Sequence, residues 1–158
     1  MRKTIEEGIS FGLTSGVITT LGLMVGLDAA TSSRLAVAGG IISIAVADSM
    51  SDALGVHTLE ETNKERSKHV WESTFATFIA KFLFALTFLV PVLLFNLKTA
   101  IGISIVWGLL LLIVLSRRVA KATKEDPVKT VFTHVSLGIV VLMITYYVGK
   151  LVAVYFQS

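Results

Sequence analysis

The stretch "GISFGLTSG", Gly8 to Gly16, sets three glycines four residues apart inside a run that otherwise reads as helix. Each costs about 1 kcal/mol relative to alanine in a water-exposed helix, so the repeat implies a neighbour that comes very close. Followed further, the small residues advance in steps of four and three: Gly8, Gly12, Ser15, Thr19, Gly22 and Gly26. That spacing lays them along one face of a single helix.

The rest of the chain says which solvent surrounds this helix. Of 158 residues 54% are hydrophobic and 16% charged, and the mean hydropathy is +0.79, far from the balance of a soluble domain. A helix crossing the hydrocarbon needs roughly 20 apolar residues, and five stretches qualify: 8–27, 35–56, 74–95, 100–115 and 131–156. The expected fold is therefore all-α, a single integral membrane domain over 1–158 with five transmembrane helices. In lipid, small residues at helical spacing let two backbones pack closely. The stripe on the first helix then has either another helix of the same chain or a second copy as its partner. A twofold contact makes such a stripe self-complementary, and a homodimer packed through Gly8, Gly12, Thr19, Gly22 and Gly26 is the preferred expectation.

Cysteine is absent, which excludes disulfides, thiolate metal sites and cysteine nucleophiles. The first apolar run lacks a small-residue cleavage site before Asp28 and reads as a retained span, not a signal peptide. The pI near 9.3 does not require nucleic acid as a partner, because the basic residues gather in the links between spans. Ten lysines and arginines fall with the N-terminus and the second and fourth links, against Arg34, Lys98 and Lys150 on the other side. The positive-inside rule then puts the N-terminus in the cytoplasm and the C-terminus outside. Pro127 suits the first turn of the last helix, whereas Pro91 should kink the third span or end it early.

Charges within the spans mark the candidate site, because a charged side chain in the bilayer centre costs at least ~2.5 kcal/mol and is seldom kept without a role. Asp48 and Asp52 in "AVADSMSDALG" are four apart and share a helix face. Counted back from Val56 they lie roughly 6 Å (Asp52) and 12 Å (Asp48) inside the helix end. Ser15, Lys81 and His134 fall at a similar depth on the first, third and fifth spans. Asp48, Asp52, Ser15 and Ser51 offer oxygen ligands for a divalent cation, with His134 as a nearby imidazole or simply a satisfied helix residue. Lys81 has three readings: a counter-ion to Asp48 in a structural pair, an ammonium displaced when a cation or proton binds, or a side chain that snorkels to the interface. In the link 57–73, His57, Glu61 and Glu65 form a second candidate metal site, or a solvated charged helix. No arrangement of serine, histidine and aspartate, and no zinc motif, has the spacing of an enzyme.

"SGVITTLGLMVG" (Ser15 to Gly26), "AGGIISIAVADSMSDALG" (Ala38 to Gly55), "FLVPVLLF" with Pro91 and "TYYVGKLVA" (Thr145 to Ala153) resemble the first, second, third and fifth helices of the vacuolar iron transporter family. The resemblance covers almost the whole chain. It implies a dimer packed through the first helix, a cytoplasmic N-terminus, an ion path at the dimer interface, and carriage of Fe2+ or Mn2+ as substrate with no permanently bound cofactor. It also implies differences in chemistry. Family members carry Asp-Gly where this chain has Ser15-Gly16, a methionine at Asp52 and a glutamate at Val56; their cytoplasmic metal-binding insertion is here a short link, and Lys81 is an added charge. The harder ligand set favours Mn2+ relative to Fe2+. The expected function is export of divalent metal from the cytoplasm, with proton coupling through Asp48 or Asp52. The alternative is a non-transporting scaffold or regulatory protein of the same fold with a structural Asp48–Lys81 pair.

Overall fold

A computed structural model describes the backbone of residues 2–156 and the side chains of residues 9–156. The described residues form helices joined by short turns: α1 (Arg2–Thr31), α2 (Arg34–Thr62), α3 (Ser67–Thr87), α4 (Leu89–Leu94), α5 (Leu97–Thr123) and α6 (Pro127–Phe156). Helices α3 and α4 form one span, Ser67–Leu94, so five spans are long and apolar enough to cross a membrane. Among the described residues there is no strand.

Pro91 kinks the third span without ending it. A proline has no N–H for the carbonyl four residues back. The helix yields at Phe88, whose N–H turns to the Ala85 carbonyl three residues back (3.2 Å), and α4 then completes the span. Pro127 opens α6 as expected. The turns are tightly specified by their caps. Ser33 Oγ accepts the Ala36 N–H (3.2 Å), Asn96 Oδ1 the Thr99 N–H (3.0 Å) and Asp126 Oδ1 the Val128 N–H (2.7 Å), each meeting a donor that a helix start leaves without a partner.

The helices are longer than their apolar runs. Helix α2 continues six residues past Val56, and α3 begins seven residues before Thr74, so the expected link 57–73 shrinks to the turn at 63–66. Hydropathy reports where lipid gives way to water, but helical hydrogen bonding continues past that point.

Helix α1 is the hub of the bundle, packed against α2, α3, α5 and α6. Val17, Leu21, Met24 and Val25 of α1, Val37 and Ile41 of α2, Phe88 and Val92 at the kink, and Ala100, Ile101, Leu112 and Leu115 of α5 form one apolar core. Helix α6 buries Thr130, Gly138 and Gly149 and turns large apolar side chains such as Phe132, Met143 and Leu151 outward. In a membrane protein lipid covers such a face.

This packing corrects the reading of the glycine stripe. A β-carbon on Gly12 would lie 3.1 Å from Thr77 Cγ2, and one on Gly16 would lie 3.0 Å from Lys81 Cγ, both on α3. On Gly22 it would lie 3.1 Å from Val141 Cγ1, and on Gly26 3.4 Å from the Thr145 carbonyl oxygen, both on α6. The close neighbours are helices of the same chain. Gly12, Gly22 and Gly26 are therefore occupied internally and do not form a seam for a second copy, and Thr19 points to Asp48 of α2 (below). Gly8 lies outside the residues whose side chains are described.

Candidate cation site

The spacing of four between Asp48 and Asp52 places both carboxylates on the side of α2 that meets α1 and α3. Lys81 projects from α3 between them and is 1% exposed. Its Nζ lies 2.7 Å from Asp48 Oδ2, contacts Asp52 Oδ2 more closely still, and donates to Ser15 Oγ of α1 at 3.1 Å. The Thr19 hydroxyl, one helical turn beyond Ser15, donates to Asp48 Oδ2 at 2.6 Å. Three helices thus supply one charged layer, two carboxylates around a single ammonium, with hydroxyls from α1 closing the ring.

The layer lies near the middle of the helices that build it. Asp48 is the midpoint of α2, fourteen residues from Arg34 and from Thr62, or roughly 21 Å from either end at 1.5 Å per residue. Lys81 is fourteen residues from Ser67 and thirteen from Leu94. Toward the turn at 63–66, the buried face between α2 and α3 is mixed, with Thr77, Ser73, Ser49 and Glu60 among Ala53, Val56 and Val70; in the other direction it is apolar, with Ala45, Ile41, Val37, Ala85, Phe88 and Val92. The charged layer therefore sits where a mixed face between α2 and α3 gives way to an apolar one.

The glycines complete the layer. With hydrogen in place of a side chain at Gly12 and Gly16, the aliphatic stem of Lys81 can lie flat against α1, which fixes where the ammonium arrives. The expected pairing of Lys81 with Asp48 is found, and it extends to Asp52; the lysine does not snorkel.

Three other expectations resolve differently. Ser51 is exposed, because it lies about 100° round the helix from Asp52, and it joins no layer with the carboxylates. His134 pairs across to α5, its Nδ1 2.9 Å from Ser116 Oγ, and so does not join the ligands. His57 contacts Thr74 Oγ1 through Nδ1 (3.0 Å) and Glu61 Oε1 through Nε2 (3.4 Å), with the Trp71 ring edge-on at 4.8 Å. Glu65 lines the same surface cleft, yet among the described residues no three histidines or carboxylates gather closely enough to hold a metal. Glu61 and His57 form a pair one helical turn apart instead, the histidine half-buried and the glutamate exposed.

Sequence reasoning missed two features. The seam reading treats Thr19 as a packing residue, although its spacing of four from Ser15 puts it beside the carboxylates. On α2, Gly39, Ser43, Ala47, Ser51 and Gly55 form a second small-residue stripe, also at a spacing of four, and all five are exposed. A β-carbon on Gly39 or Gly55 would meet nothing within 4 Å.

Five helices long and apolar enough to cross a membrane, arranged around a buried charged layer, define a polytopic membrane protein. Residues 52–150, well over half of the chain, match the model of the VIT family, and the chain belongs to this family, the vacuolar iron transporters. The matched region runs from Asp52 to Lys150 and includes Lys81. No curated protein matches the chain.

Proposed function

We propose that the protein carries divalent metal cations, Mn2+ or Fe2+, out of the cytoplasm through the layer built by Asp48, Asp52 and Ser15. The observation that carries this reading is the position of the layer, at mid-helix where a mixed face between α2 and α3 gives way to an apolar one. Transporters hold their substrates near the middle of the bilayer, between helices. Two carboxylates and hydroxyls form an all-oxygen ligand set, which suits Mn2+ better than softer ions. The distribution of lysine and arginine supports a cytoplasmic N-terminus and an outer C-terminus, so the side with Ser73, Thr77 and Glu60 faces the cytoplasm. Asp48 or Asp52 is the group through which protons would be exchanged.

Flux of Mn2+ into proteoliposomes tests this directly. The wild-type protein should transport, and Asp48→Asn combined with Asp52→Asn should abolish flux while leaving a folded protein. Unchanged uptake by the double variant would remove these residues from the path. A non-transporting scaffold is the second reading, favoured by one observation: Lys81 already neutralises part of the layer. It requires that the wild-type protein itself carry no metal.

The functional unit in this proposal is a homodimer joined through α2. Small residues at helical spacing support close approach in lipid, and the glycines of α1 are already occupied. Pairing across Gly39, Ser43, Ala47, Ser51 and Gly55 would set the two charged layers side by side, since Asp48 adjoins this face. Gly39→Leu with Gly55→Leu should convert a dimer to a monomer in detergent, read by light scattering, with helical content unchanged. A double variant that stays dimeric would place the contact elsewhere.

A further inference from the structure

We propose that Lys81 is a built-in cation that competes with the substrate: its ammonium and a divalent ion are alternative occupants of the same carboxylate oxygens, and Lys81 thereby sets how tightly the layer holds metal. The assignment of the site's substrate class rests on the transport reading above.

An ammonium has three protons to donate, and Lys81 Nζ has three acceptors here: Asp48 Oδ2, Asp52 Oδ2 and Ser15 Oγ. Both carboxylates present their Oδ2 atoms to this one centre, as they would to a metal ion. The ammonium is therefore fully satisfied at the point where a bound cation would sit. Its position is also fixed from behind, because the stem is pressed against the glycine face of α1, with Cγ within 3.0 Å of where a Gly16 β-carbon would be.

The shared oxygens make the two occupants mutually exclusive. Two carboxylates and one ammonium sum to one negative charge. A divalent ion in the ammonium's place would bring the two carboxylates to neutrality, whereas one added beside it would find the Oδ2 atoms already taken and would stand next to a like charge. Metal entry therefore requires the ammonium to leave the carboxylates, and the contacts it gives up are subtracted from the affinity for metal. A monovalent ion, which only replaces one positive charge with another, gains nothing to offset that loss.

The test is Mn2+ binding to the purified full-length protein in detergent, followed by titration calorimetry and by thermal unfolding with and without MnCl2. Lys81→Met should bind Mn2+ at least tenfold more tightly than wild type, and its Tm should rise with Mn2+ more than the wild-type Tm. Adding Asp52→Asn to Lys81→Met should remove that gain, whereas Lys81→Arg, which keeps a cation in place, should bind as weakly as wild type. If Lys81→Met folds only when purified with Mn2+ and retains stoichiometric manganese after desalting, the proposal is equally supported. Lys81→Gln provides the same comparison with a polar side chain of similar length. Binding by Lys81→Met and Lys81→Gln no tighter than wild type would overturn it. The measurement uses no flux, so tight binding by Lys81→Met in a protein that carries no metal would defeat the transport reading and leave this one standing.

Discussion

In the absence of divalent cations, Lys81→Met should lower the stability of the protein by ~3–5 kcal/mol, the usual cost of removing one partner from a buried ion pair. The lysine is 1% exposed and is shared by two carboxylates, so its loss leaves two acidic groups facing each other across one helical turn with no compensating charge. The cost should come from that imbalance and not from lost volume, because methionine replaces most of the apolar stem. A triple variant, Lys81→Met with Asp48→Leu and Asp52→Leu, should therefore recover the stability or exceed it, as well-packed apolar replacements of buried charge clusters do. Thermal unfolding in detergent checks both variants. A Lys81→Met protein as stable as wild type would mean that the layer is open to water and its charges are screened.

The second large effect is expected at the crossing of α1 and α6. A β-carbon on Gly149 would stand 2.3 Å from the Gly26 carbonyl oxygen and 2.9 Å from Ala29 Cβ. Backbone atoms cannot rotate away as a flexible side chain can, so the helices must separate. Gly149→Ala should cost about 1–3 kcal/mol, the range for overpacking a close contact, and Gly149→Leu should prevent the first and last helices from docking. Gly102 provides the control, since a β-carbon there meets nothing within 4 Å; Gly102→Ala should be neutral or gain up to about 1 kcal/mol from helix propensity. An unchanged unfolding temperature for Gly149→Ala would contradict the observed crossing.

The sequence made the number of spans legible because burial in lipid demands long apolar runs, and five such runs stand apart. Their ends were not legible, because α2, α3 and α5 continue into polar sequence that hydropathy treats as linker. Asp48, Asp52 and Lys81 stood out for one physical reason, the cost of charge in hydrocarbon, and Ser15 joined them through the common depth that follows from the rise per residue. What spacing could not provide was rotational phase. It placed Ser51 and His134 at the right height, but Ser51 faces outward and His134 faces Ser116 of α5. The glycine repeat carried the same ambiguity: it announced a close approach without saying by what. The answer was the stem of a lysine sixty-five residues beyond Gly16 and, further along, the last helix of the bundle.

That α1 holds both neighbours has a consequence for biogenesis. Of the five spans, the one made first carries notches cut for the third and for the fifth, and the Gly26–Gly149 joint closes only when all five have entered the bilayer. Until then the growing chain presents an unfilled groove to lipid and to whatever machinery surveys half-built membrane proteins, so completion of the bundle is reported by the meeting of its first and fifth spans.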